Sequence, residues 1–411
     1  MASVAGILLC VTCCGGDINS VSDPHFDAEG HLLPQYSGKQ SFAPKAPSRV
    51  KFYVEVSGSM NGFLRANFPT AFKTDLWDIM SYYSALAPKV GILTNDGTSG
   101  AELDQATFRT AMNAGAFVSS ASTKVPLMLA TIISDLDADK GEVAVLVSDM
   151  KYSPVGAASP EVLLTQYSTD VSTLLGRFGK AASLVCATSD YINTQGQDVA
   201  AGRSPYYYLI LGAAPQVAEM RNGISALLSM HNHFVDNIES GFDYGRAPHT
   251  FGISTGCVQM DGAPTFVGYD TDADTCCVKL KVDLANFRWL LSDKQAFLQA
   301  FRVKALYGSE VSVRDVQIET HNTVDRELKR EAVATVSLRL SHMALDSEVL
   351  EWNIDLPDTD TRLFAPFFEN ATSEDDPMKS FSVPGFIKGL FCGGVVNKPL
   401  LPNYILISKN D

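Results

Sequence analysis

Hydrophobic and polar positions alternate clearly in the stretch R-V-K-F-Y-V-E-V-S-G-S-M-N-G, residues 49–62. Val50, Phe52 and Val54 fall on one side of an extended segment rich in β-branched and aromatic residues, which predicts a strand. The run halts at Ser57-Gly58-Ser59, and small hydroxyl-bearing residues there predict a tight loop. Apolar residues then recur at helical spacing over 71–87, with Pro88 as a stop. Short strands are expected at 89–94, 143–148, 183–188 and 206–211. Helices are expected within 102–117 and over 125–136, 160–178 and 215–230. The run Val143-Ala-Val-Leu-Val-Ser148 is continuously apolar, as a strand buried on both faces should be. Strand and helix alternate, the signature of an α/β fold with a mostly parallel sheet and helices on both faces.

After residue 240 the period changes to two. Residues 277–284, 311–318, 335–340 and 351–356 alternate apolar and polar, which predicts antiparallel strands with one wet face. The expected organisation is a signal-like segment at 1–16, a linker or arm at 17–48, an α/β domain at 49–240 and a smaller antiparallel β-sandwich-like domain at 262–411. Residues 287–301 read as a helix or a long connection. The segment 381–391 reads as a short amphipathic helix docked on the sandwich or on a partner.

Composition narrows the function. The chain has 411 residues, enough for two or three domains, and 46% hydrophobic with 19% charged residues is a globular composition. A formal net charge of −14 argues against nucleic acid, whose phosphates an acidic surface repels. The apolar run at 4–11 is too short to span a membrane and reads as the core of a secretory signal. Val11-Thr12-Cys13-Cys14 resembles a bacterial lipoprotein signal, with Cys14 or Cys13 as the lipidated residue. Gly15-Gly16-Asp17 resembles the start of a surface lipoprotein of Bacteroides-like bacteria. The expected location is the cell envelope or the exterior, with membrane contact only through that anchor. Cys186 is expected to be a buried free thiol. One disulfide is expected between Cys257 and either Cys276 or Cys277.

The candidate chemistry sits where the first strand stops. Glu55 supplies a carboxylate, and Ser57 and Ser59 supply hydroxyls on the same side if the segment stays extended. Such hard oxygen donors suit Mg²⁺, Mn²⁺ or Ca²⁺ better than zinc. Thr123 precedes a predicted helix, and Asp149 ends the apolar strand. This order of residues over 48–232 resembles the von Willebrand factor A domain, whose metal-ion-dependent adhesion site is written Asp-x-Ser-x-Ser, Thr, Asp. Ser57, Ser59, Thr123 and Asp149 match it, and Glu55 stands where the family has Asp. The resemblance implies a non-enzymatic binding protein that holds a divalent cation and offers an open coordination position to an acidic side chain of a protein partner. It implies Ser57 and Ser59 as direct ligands, Thr123 as a direct or water-bridged one, and Asp149 acting through water. An envelope scaffold without metal dependence is the alternative reading, and a metal-assisted hydrolase ranks last because no dedicated general base is present.

Other motifs carry less. His231-x-His233 would suit a metal only with a third ligand, and helical spacing would separate the two rings. Asp270-Thr-Asp-Ala-Asp274 lacks the glycine and distal glutamate of an EF-hand. The glycines of a nucleophile elbow are missing around Ser57 and Ser59, and no Walker A or dinucleotide fingerprint occurs.

Overall fold

In the computed structural model of the chain, the described residues are 23–409 without 28, 40–41, 95–96, 98–99, 118, 120–122, 153–159, 285–293, 319–332, 356–375, 381, 395–396 and 399. The signal-like segment, with Cys13 and Cys14, lies outside them. The described residues form a mixed α/β structure with three sheets.

The first sheet is built on β1 (Arg49–Glu55). Strands β2 (Lys89–Leu93) and β3 (Glu142–Ser148) flank it, both parallel to it. Beyond β3 come β5 (Ser204–Gly212), β4 (Ala181–Ser189) and β6 (Phe234–Ser240), each antiparallel to its neighbour. The mostly parallel sheet expected from the alternation is thus a mixed one. The reason lies between β4 and β5. A parallel neighbour needs a crossover, usually a helix. Residues 190–203 have no helical apolar period; they fold as a polar excursion, with Asp198 accepting from the backbone N–H of Tyr191, Ala200 and Gly202.

Helices cover both faces. Val50, Phe52 and Val54 of β1 join a core with α2 (Ala71–Tyr82), α3 (Gln105–Ala114) and α6 (Ala214–Met230). Tyr53 points to the opposite face and a second core with α4 (Val125–Asp135), α5 (Pro160–Phe178) and α8 (Val383–Gly393). Period two along β1 therefore decides which helices each residue meets. Short α1 (Pro34–Ser37) and α7 (Lys294–Ala300) complete the described helices.

Two further sheets follow. One orders β12 (Glu310–Ile318), β13 (Val333–Ser341), β10 (Thr275–Asp283) and β7 (His249–Phe251), all antiparallel. The other orders β11 (Phe301–Ala305), β14 (Ser347–Ile354), β15 (Asn403–Lys409), β9 (Thr265–Tyr269) and β8 (Val258–Gln259), with β15 and β9 parallel. Val278, Leu280 and Val282 alternate inward along β10 and share an apolar cluster with Leu350, Trp352, Ile405 and Ile407 of the other sheet. Cys257 is disulfide-bonded to Cys276, and Cys186 is buried and free.

Two segments cross this arrangement. Part of the expected arm docks on the last sheet: Phe26 packs with Val349, Tyr404 and Leu406, and the hydroxyl of Thr265 donates to the Gly30 carbonyl. Helix α8 packs on α5, covering the first sheet rather than the two β-sheets on which docking was expected. Gly385, Gly389 and Gly393 recur every fourth position and face the α5 backbone at Leu164, Ser168 and Ser172. Among the described residues no helix is long and apolar enough to cross a membrane.

Candidate functional site

The candidate site lies at the carboxyl ends of β1 and β3, the end of a parallel sheet segment where ligands bind. Strand register sets Val54 beside Val147, so Glu55 arrives next to Ser148. Glu55 is fully buried. Its Oε1 accepts from the Thr123 hydroxyl at 2.7 Å, and its Oε2 accepts from the Ser148 hydroxyl. Thr123 reaches it because the residue stands just before α4, whose first turn tolerates Pro126 where the missing N–H costs nothing.

The serines are placed differently from the extended geometry expected. The strand ends at Glu55, and the chain turns at Ser57, where the Met60 N–H donates to the Ser57 carbonyl at 3.2 Å. That turn brings the Ser59 hydroxyl to 3.0 Å from the Ser57 hydroxyl. Asn61 then locks the loop to the segment leading to Thr123: its amide donates to the Ser119 carbonyl and accepts from the Ser119 N–H.

Asp149 completes the group. Its Oδ1 accepts from the Lys151 N–H at 3.1 Å, whereas its buried Oδ2 has no hydrogen-bond partner among the described residues. Met150 sits at φ 57°, a left-handed conformation that costs a side-chain-bearing residue about 1–2 kcal/mol. The Met150 N–H donates to the Ser148 hydroxyl at 2.7 Å, which supports the turn. Ser382 buttresses it from outside: its hydroxyl accepts from the Tyr152 N–H and donates to the Met150 carbonyl.

Burial and a neighbouring charge act together on Glu55. The Glu55 carboxyl is pushed up to about 7, first by burial and then by the charge of Asp149, against the hydroxyls of Ser148, Ser57 and Thr123. Two carboxylates in one buried site repel unless a cation or a proton compensates them. The donor set also fits a hard cation. The Thr123 hydroxyl gives its hydrogen to Glu55 and keeps its lone pairs, and no described residue engages Asp149 Oδ2. The structure thus brings together Glu55, Ser57, Ser59, Thr123 and Asp149. Sequence reasoning missed Ser148. Its signal was a lone hydroxyl ending an apolar run, one register step beyond Val147, the β3 partner of Val54.

A second polar group lies elsewhere. His231 ends α6, and Asn232 at φ 61° reverses the chain before His233, so the spacing is not helical and the rings are not separated. Both imidazoles converge on Asp75 of α2, the third ligand that sequence reading lacked. His231 Nδ1 is 2.7 Å from Asp75 Oδ1, and His233 Nδ1 is 2.8 Å from Asp75 Oδ2. Nothing in the sequence links Asp75 to residues 156 and 158 positions away.

No family model, curated protein or solved structure matches the chain.

Proposed function

We propose that the protein is a binding protein of the von Willebrand factor A type, in which Glu55, Ser57, Ser59, Thr123 and Asp149 hold a divalent cation for an acidic group of a protein partner. The observation that carries this reading is Asp149 Oδ2, a buried carboxylate oxygen that has no hydrogen-bond partner among the described residues and lies beside a second buried carboxylate. Such an oxygen is costly to leave unmatched. Three adjacent parallel strands, with helices on both faces, support the A-domain reading, and the two later sheets support a sandwich-like companion.

Each residue has a distinct task. Glu55 acts through the hydroxyls: accepting their hydrogens aims oxygen lone pairs of Thr123 toward the cation position. Its longer side chain reaches both Thr123 and Ser148, which accounts for glutamate in place of the family's aspartate. Ser57 and Ser59 supply neutral oxygens, and Asp149 supplies charge. A bound Mg²⁺, or Mn²⁺ or Ca²⁺, contributes electrophilic attraction for an incoming carboxylate. Gly58 and Ser59 are partly exposed, so a partner can approach from that side. Export and tethering through Cys14 or Cys13 belong to the same proposal and rest on the apolar run before them.

Calorimetric titration with Mg²⁺ and Mn²⁺ tests the reading. One site is expected in the wild type, and Ser57→Ala should weaken it about 10-fold or more, the scale of a lost ligand interaction. Absence of heat and of any thermal shift at millimolar metal would remove the cation and favour a metal-independent envelope scaffold.

A further inference from the structure

We propose that Asp75, His231 and His233 form a separate site for a zinc-class divalent ion. Their ligand atoms lie within 4.8 Å of one another, and they come from helix α2 and from the turn that follows α6. Two imidazoles and one carboxylate with an open fourth position are the donor set of catalytic and exchangeable zinc sites. This set differs in kind from the oxygen donors around Glu55, so the two sites should choose different ions.

Three features beyond proximity favour a metal over a plain hydrogen-bonded brace. The Asp75 side chain is fully buried, while the His231 and His233 side chains keep 29% and 28% exposure, which leaves one side open to an exogenous ligand. The surroundings are also those that orient metal ligands. The Tyr206 hydroxyl donates to Asp75 Oδ2 at 2.6 Å, and the other ring nitrogen of His231 lies 3.6 Å from the Asp78 carboxylate. A carboxylate near the far ring nitrogen electrostatically favours the tautomer that carries its hydrogen there and leaves the near nitrogen free to bind. Finally, little must move. Donors at about 2.0–2.2 Å from a tetrahedral zinc sit roughly 3.3 Å apart. The nitrogen-to-oxygen distances to Asp75 are 2.7–3.0 Å and all three ligand atoms lie within 4.8 Å of one another, so modest side-chain adjustment admits the ion as the Nδ1 hydrogens shift to the outer nitrogens.

Zinc titration of the full chain in a background with Cys10, Cys13, Cys14, Cys277 and Cys392 changed to Ser tests this, because thiols outside a disulfide could bind zinc on their own. One zinc per chain is expected, together with a Co²⁺ form whose visible absorption reports nitrogen and oxygen ligation. His233→Gln keeps a donor for Asp75 and should keep the fold, but it should lose zinc by at least about 100-fold. Tyr206→Phe should cost about 10–100-fold. The Mg²⁺ response of both variants should match that of the wild type, which separates this site from the one around Glu55. Absence of zinc binding in the wild type, or unchanged zinc affinity in a folded His233→Gln, would overturn the proposal and leave the three residues as a hydrogen-bonded brace.

Discussion

Both carboxylate oxygens of Glu55 accept hydroxyl hydrogens, and this fixes what its replacement should do. Glu55→Asp withdraws the carboxylate by about one C–C bond but keeps the charge, so Mg²⁺ affinity should change modestly. Glu55→Ala leaves Thr123 and Ser148 without their acceptor, so affinity should fall by about 100-fold or more. Binding that is strongly improved in Glu55→Asp would instead mark glutamate as damage to the site. The same residue sets a pH dependence in metal-free protein. Its carboxyl rises from 4.5 to about 7 on folding, so the folded state holds the proton more tightly. The associated stability is present below pH 4.5 and is lost as pH rises through about 7. Melting temperatures in chelator should fall across that window, and Mg²⁺ should flatten the fall. A curve that rises through the window in chelator would contradict this placement of Glu55.

Elements differ in how much of them the sequence declares. β1 and β3 were legible because burial leaves a pattern: alternate residues for the two faces of β1, a continuous apolar run for β3. The alternation in β10 and β13 was legible for the same reason. Strand direction was not, because apolarity is the same whichever way a strand runs. The reversal of β5 follows from a linker without helical period, and that negative signal is easily overridden by the regular spacing around it. Docking of α8 was also hidden. Its apolar face was readable, but its partner is chosen by the close approach that Gly385, Gly389 and Gly393 permit. A β-carbon on Gly389 would lie 2.7 Å from the Ser168 carbonyl oxygen, closer than such atoms pack. Gly389→Leu should therefore destabilise the protein by about 1–3 kcal/mol or more, read as a lower denaturation midpoint. Lys388→Leu, at an exposed position on the same helix, should change little. Equal effects would show that α8 is not packed as described.

At the scale of the molecule, separate elements converge on the carboxyl ends of β1 and β3. The loops after these strands and the segment before α4 supply the donors, and Ser382 buttresses the Asp149 turn. Thr123 and Asp149 were readable as parts of the site only through their resemblance to a known motif order. Ser148, Asp75 and the buttress were not, because they come from residues far apart in sequence or from positions without a distinctive local pattern. A chain with a formal charge of −14 favours cations in its surroundings, but only the enclosed donors can select one. Anomalous scattering from crystals grown with Mn²⁺ measures this claim most directly. A single strong peak among the side-chain oxygens of Ser57, Ser59, Thr123 and Asp149, reduced in Ser57→Ala at the same Mn²⁺ concentration, is the expected result. A wild-type map with no peak there, at a Mn²⁺ concentration that saturates the protein by calorimetry, would contradict it.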